Sequence, residues 1–105
     1  MKVIGLDHVQ LAMPPGREDD ARRFYVARGG AWFEDGGTRV HLGVDPDFRP
    51  ARKAHPGLLV TQLRDLVARL REAGHPVVEG EPLEGYDQVY LDDPFGNRLE
   101  LMEPE

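Results

Sequence analysis

Four side chains that can ligate a metal ion share one placement in the sequence. Each lies on a predicted strand, on the parity opposite to that strand's apolar residues, and they are His8, His41, His55 and Glu100. Imidazole nitrogens and carboxylate oxygens bind Zn, Fe, Ni, Mn or Co at roughly 2.0–2.2 Å. Each residue alone is more typical of a solvated strand face, so the prediction of a divalent-metal site depends on all four converging.

The elements that would position these residues follow from the apolar periodicity, which predicts the same pattern twice. The first copy has strands at 3–13, 31–34 and 38–44 and a helix at 17–28. A connector at 45–54 follows. The second copy has strands at 55–60, 76–79, 87–91 and 98–102 and a helix at 62–73, with Thr61 as its expected N-cap and Gly74 as its stop.

The two copies differ in length, because 33 residues separate His8 from His41 and 45 separate His55 from Glu100. The difference is the size of one strand and its turn. We therefore expect an α+β fold of two βαβββ modules, the first shortened by one strand, whose curved mixed sheets surround a cleft. Module 1 spans 1–47 and module 2 spans 54–105, within one domain over 1–105.

The composition restricts the classes of function. The chain has 105 residues, a net charge of −6 and no cysteine, which excludes disulfides and a thiolate nucleophile. The acidic charge argues against nucleic acid as a partner. No apolar run approaches the ~20 residues of a membrane span, and no secretion signal is recognised, so a cytoplasmic location is expected.

Five segments resemble the vicinal oxygen chelate superfamily, which contains glyoxalases, bleomycin-resistance proteins and extradiol dioxygenases. They are "LDHVQLAM", "RRFY", "HPGLLV", "GHPV" and "YLDDPFGNRLELMEP". The resemblance implies paired half-barrels around a divalent metal, with ligands on the first and last strand of each module. Those positions correspond to His8, His41, His55 and Glu100. Many members carry Glu where His41 stands, and His8, His55 and Glu100 alone would form the two-histidine, one-carboxylate set of the iron dioxygenases.

The resemblance implies a metalloenzyme that binds a small substrate through two oxygens and performs lyase, isomerase or dioxygenase chemistry. The metal would act as a Lewis acid, and Glu100 or Tyr90 could move a proton. Four further residues could contact the substrate: Arg39 and Arg98, which share the parity of His41 and Glu100, and the aromatic Trp32 and Phe48. Solvated strand faces for the arginines, and an ordinary core position for Trp32, are the alternatives.

Two other functions stay open at this point. One is a metal-free small-molecule or drug-binding dimer, and the other is a structural homologue with a vestigial site. In each case a homodimer is expected, because a sheet that lacks one strand leaves an unpaired edge that a second copy could cover.

Overall fold

The computed structural model describes residues 1–26, 33–35 and 37–105, which divide into two units, Met1–Pro50 and Ala51–Glu105. The first unit contains strands β1 (Val9–Met13), β2 (Phe33–Asp35) and β3 (Thr38–Val44). Its helix α1 (Glu18–Ala21) continues as a π-helical segment, Arg22–Val26. The second unit contains β4 (Gly57–Leu59), α2 (Leu63–Glu72), β5 (Val77–Glu79), β6 (Tyr86–Asp92) and β7 (Arg98–Pro104).

Each unit contains one mixed sheet in which the first strand lies parallel to the last. In the first unit the strand order is β1-β3-β2, with β1 parallel and β2 antiparallel to β3. In the second unit the order is β4-β7-β6-β5, with β4 parallel to β7. The predicted α+β fold with mixed sheets is confirmed. Among the described residues, the sheet of the first unit has one strand fewer than that of the second.

Strand β1 begins later than the sequence predicts. It pairs with β3 in the register Val9↔Val40 to Met13↔Val44, so Asp7 would fall opposite Thr38, the first residue of β3. Residues before Asp7 have no partner on β3, because β3 begins at Thr38 and the chain turns at Gly37 in the β2–β3 hairpin. The prediction of a strand over 3–8 is therefore wrong.

The first helix packs one side into the core but is not a continuous α-helix. Ala21, Phe24 and Tyr25 are buried. The backbone widens into π-helix from Arg22, and the rings of Phe24 and Tyr25 meet edge to face at 4.9 Å. The wider turn lets two adjacent aromatic side chains enter one core. The last two residues of the predicted helix, 27 and 28, lie outside the described residues.

Helix α2 begins on a cap from a distant strand rather than on the predicted Thr61. The carboxylate of Glu103, on β7, accepts hydrogen bonds from the backbone N–H groups of Gln62 (2.7 Å) and Leu63 (3.1 Å). These are N–H groups that a helix leaves unsatisfied at its start. The cap joins the helix to the strand that carries Glu100.

The end of α2 agrees with the prediction. Gly74 has a φ of +88°, and its N–H donates to the carbonyl of Arg71 while the N–H of His75 donates to that of Leu70. This is the Schellman pattern, in which glycine supplies the left-handed residue that ends the helix. No helix within the described parts of the chain has the length and apolar character required to cross a membrane.

Candidate metal centre

In the second unit, the alternation along β7 places Glu100 on the side of the sheet that α2 does not cover. Leu99 and Leu101 are buried in the core, whereas Glu100, between them, points to the opposite face. Its neighbours in register are Gly57 on β4 and Tyr90 on β6. Glu100 therefore stands between a residue without a side chain and an aromatic ring.

His55, just before β4, meets Glu100 directly. The N–H of Glu100 donates to the carbonyl of Pro56 (3.1 Å), and this bond brings the chain before β4 alongside β7. Across it, His55 Nε2 lies 3.0 Å from Glu100 Oε1, and the two side chains are 20% and 14% exposed. These are two of the four residues that the sequence predicts to converge on one site.

The other ring nitrogen of His55 is held by the main chain. Nδ1 lies 3.0 Å from the carbonyl oxygen of Lys53 and 3.2 Å from that of Arg52. A carbonyl oxygen only accepts hydrogen bonds, so Nδ1 carries the ring hydrogen. Histidines that ligate metals characteristically donate their second N–H in this way.

The separation of the His55 and Glu100 donor atoms suits two adjacent ligands of one ion. Two atoms that each lie about 2.1 Å from an ion, at about a right angle, are roughly 3.0 Å apart. The observed N···O distance is 3.0 Å. The same distance is that of a hydrogen bond between the imidazole and the carboxylate, and both atoms, with Nδ1 anchored, are of the kinds that bind a divalent ion.

Gly57 leaves space beside this carboxylate. A Cβ atom at residue 57 would lie 3.4 Å from Met102 Sδ and 3.9 Å from Glu100 Oε1, which is ordinary contact distance. The absence of a side chain thus exposes one flank of the carboxylate.

Tyr90 and Arg98 complete the polar side of this face. The Tyr90 ring stands edge-on to the His55 ring, with centroids 5.6 Å apart. The guanidinium carbon of Arg98 lies 5.6 Å from the centre of the Tyr90 ring. Tyr90 was expected to move a proton and Arg98 to contact substrate, and the structure places Tyr90 beside His55 and Arg98 beside Tyr90.

In the first unit, His8 and His41 also form a pair. Their rings are stacked, with centroids 4.4 Å apart and planes 13° apart. His41 stands opposite Gln10 in the β1–β3 register, and His8 precedes β1. His41 Nε2 is buried. Both units therefore bring a residue just before the first strand against a residue on the last strand.

Asp7 adds a carboxylate to the first pair. Its Oδ2 lies 2.9 Å from His8 Nδ1, and its Oδ1 accepts a hydrogen bond from Arg39 Nη1 at 3.3 Å. The hydrogen bond from His8 and the charge of Arg39 hold the pKa of the Asp7 carboxyl below its usual value. Arg39, predicted to contact substrate, contacts Asp7 in the structure.

A cavity of about 360 Å³ lies in the first unit, between the sheet and the first helix. Polar groups of Gln10, Glu18, Arg22 and His41 and apolar groups of Met13, Ala21 and Leu42 line it. The cavity gives His41 a space in which a small molecule could lie.

The remaining predicted residues have less direct placements. Phe48 is half-buried in the connector after β3, and Trp32 lies outside the described residues. Within the described part of either unit, no three His, Asp or Glu side chains are grouped to hold an ion by themselves. Each unit thus supplies a pair of candidate ligands.

Sequence reasoning missed Asp7, Gly57 and the carbonyls of Arg52 and Lys53. For Asp7 the only signal is its adjacency to His8 in "LDHV". For Gly57 the signal is a glycine in a short strand, a place where another group often approaches closely. Main-chain carbonyls leave no signal in residue types.

A family model described as Glyoxalase/Bleomycin resistance protein/Dioxygenase superfamily matches residues 8–101. No curated protein gives a significant match. Among solved structures, a glyoxalase family protein from Bacillus anthracis is 35% identical, with a TM-score of 0.90 over 100% of this chain and 98% of that one.

Two more distant structures share the fold. The genomically encoded fosfomycin resistance protein FosX from Listeria monocytogenes, complexed with Mn(II) and sulfate, is 14% identical, with a TM-score of 0.70 over 99% of this chain and 93% of that one. The antibiotic binding protein TnmS3 from Streptomyces is 22% identical, with a TM-score of 0.70 over 98% and 100%.

Proposed function

The chain belongs to the Glyoxalase/Bleomycin resistance protein/Dioxygenase superfamily, and from that premise we propose that it is a divalent-metal-dependent enzyme. Its substrate is a small oxygenated molecule that binds the metal through two oxygens. The observation that carries this proposal is the His55–Glu100 pair, with donor atoms 3.0 Å apart and Nδ1 anchored on main-chain carbonyls.

The proposed ligands are His8, His41, His55 and Glu100, which hold one ion of Zn, Fe, Ni, Mn or Co. A divalent ion bound there supplies Lewis-acid stabilisation of negative charge on a substrate oxygen. The mixed nitrogen and oxygen donor set suits each of these ions. The Mn(II) complex of the Listeria relative supports a divalent ion in this fold.

The protein's own groups would bind the substrate and move a proton. Glu100 and Tyr90 are cross-strand neighbours on the face that holds His55, so either can exchange a proton with a substrate beside them. Arg98, on the same face, can bind an anionic substrate group. These roles suit lyase, isomerase or dioxygenase chemistry.

A metal titration tests the proposal. Protein stripped with a chelator is titrated with Co, Ni, Mn, Zn and Fe(II) in turn, by calorimetry. We expect at least one of these ions to bind, at one ion per chain. His55→Ala and His8→Ala should each weaken binding by more than the roughly 10–100-fold that loss of an outer hydrogen-bond partner costs.

His75→Ala is the matched control, because His75 follows the end of α2 and is the one histidine outside the proposed ligand set. Its metal affinity should equal that of the unmodified protein. If none of these ions binds, the proposal of a metal-dependent enzyme is overturned. Two ions per chain, with one surviving each single substitution, would overturn the single four-ligand centre.

A metal-free small-molecule binding protein is the second candidate. The cavity of about 360 Å³ in the first unit favours it, and one structure of the same fold is an antibiotic binding protein. Unchanged affinity for a small molecule bound in this cavity, in the double variant His8→Ala, His55→Ala, which leaves the cavity lining intact, would favour this function over the enzyme.

We further propose that the protein is a homodimer. Val3, Ile4 and Leu6 are 78%, 94% and 86% exposed. They directly precede β1, whose pairing within the described first unit is on one side only, with β3. An exposed apolar segment beside an open sheet edge is a surface that a second copy can cover.

A further inference from the structure

We infer that Asp7 is a positioning residue: its carboxylate holds His8 in the tautomer with hydrogen on Nδ1, so that Nε2 is the atom offered to a metal ion. The tautomer follows from the geometry of the first unit alone. Its consequence for metal affinity rests on the proposed function.

Each carboxylate oxygen of Asp7 contacts a different side chain. Oδ2 lies 2.9 Å from His8 Nδ1, and Oδ1 accepts from Arg39 Nη1 at 3.3 Å. An ionised carboxylate only accepts hydrogen bonds, so His8 Nδ1 must be the donor. Stacking on His41, at 4.4 Å between centroids, keeps the His8 ring plane fixed while this bond orients the ring within the plane.

In the second unit the Nδ1 atom of the corresponding histidine also faces oxygen acceptors. There, His55 Nδ1 faces the carbonyl oxygens of Lys53 and Arg52. Both histidines that precede a first strand therefore have Nδ1 tied to oxygen acceptors. The acceptor in the second unit is main chain and cannot be removed by substitution, whereas Asp7 can be.

A charged acceptor on Nδ1 also changes the chemistry of Nε2. Hydrogen bonding to a carboxylate raises the electron density of the ring and the basicity of the ligating nitrogen, and loss of such a partner typically costs 10–100-fold in metal affinity. Asp7 is 73% exposed, so solvent screening places the expected loss near the lower end, at about tenfold.

The tautomer is tested without any metal. Long-range ¹H–¹⁵N NMR spectra of the metal-free protein are recorded at a pH at which the imidazoles are neutral. We expect His8 to show hydrogen on Nδ1 in the unmodified protein and in Asp7→Asn, whose amide oxygen can still accept. In Asp7→Ala the Nε2–H form should become populated. The same tautomer ratio in Asp7→Ala and the unmodified protein would overturn the inference.

Metal titration of the same proteins tests the consequence. We expect Asp7→Ala to bind about tenfold more weakly, with Asp7→Asn between it and the unmodified protein. Asp19→Ala is the control, since it removes an equally negative, exposed side chain that pairs with Arg22; its affinity should be unchanged. If the unmodified protein binds no ion, the proposed function fails while the NMR result stands. If it binds an ion and Asp7→Ala binds equally well, Asp7 does not tune the ligand.

Discussion

Asn97 is fully buried and holds together the turn that leads into β7. Its Nδ2 donates to Asp93 Oδ2, and its Oδ1 accepts from the N–H of Ala51, both at 2.9 Å. Asp93 Oδ1 in turn accepts from the N–H groups of Phe95 and Asn97. The "DDPFGN" segment, part of one of the five segments that carry the family resemblance, therefore positions the strand of Glu100.

Asn97→Ala should lower the free energy of unfolding by about 3 kcal/mol, because it leaves the buried Asp93 carboxylate and the partly buried N–H group of Ala51 without this partner. Urea denaturation followed by circular dichroism measures the change. Asp47→Ala, at an exposed residue of the connector, should change it little. Equal stabilities of the two variants would contradict the structural role of Asn97.

Residue types and parity were enough to propose His8, His41, His55 and Glu100 as candidate ligands of one site, and the structure brings His8 against His41 and His55 against Glu100. Residue types and parity were not enough to find Asp7. In a strand, adjacent side chains point to opposite faces, so Asp7 was expected to point away from His8. Because β1 begins only at Val9, the alternation does not apply there, and neighbouring side chains can meet.

At the scale of elements, Arg64 joins α2 to the sheet of the second unit. Its guanidinium donates to both carboxylate oxygens of Glu79 on β5 and to both of Asp87 on β6. Hydrogen bonds from Arg64 lower the pKa of Asp87 and of Glu79, and they raise that of Arg64 itself. These hydrogen bonds connect α2 to strands β5 and β6, at one edge of the sheet.

Arg64→Gln should lower the melting temperature at pH 7. Folding lowers the pKa of both carboxyls, so their stabilising effect is present above their unfolded pKa values and is lost as the pH falls through the lowered values of the folded state. The difference between variant and unmodified protein should therefore shrink towards zero between pH 7 and about pH 2, as thermal melts would show. Arg69→Gln, on an exposed position of the same helix, makes the same change in charge and should have a smaller effect at pH 7.

The sequence predicted elements well where the pattern is local. Strand β3 occupies the predicted 38–44, and α2 lies within the predicted 62–73. The sequence-based prediction failed where a residue distant in the chain decides where a helix begins. Thr61 has a suitable side chain for a cap, but the acceptor that begins α2 comes from Glu103, forty-one residues after Gln62, and periodicity carries no record of that contact.

At the scale of the whole molecule, the repeated topology was predictable because the two halves repeat one order of elements. The shorter first half was predictable from the spacing of its candidate ligands. The exposed apolar residues before β1 were not, since the same alternation is typical of a strand. Their exposure gives the proposed homodimer a surface that can be tested.

Sedimentation velocity should show a species of twice 11.8 kDa for the unmodified protein. The double variant Ile4→Glu, Leu6→Glu should be monomeric, because it places two carboxylates on the apolar segment. Lys2→Glu makes the same change in net charge on that segment without removing an apolar side chain, and it should remain dimeric. An unmodified protein that is monomeric at high concentration would rule out the homodimer.

Because Gly57 has no side chain, the residue type at this one position decides how much space is left beside the Glu100 carboxylate. A methyl group there would reach ordinary contact with Oε1 and Met102, and each additional carbon would extend over the carboxylate. Any engineered exchange at this position therefore narrows the space beside that carboxylate, and none can widen it.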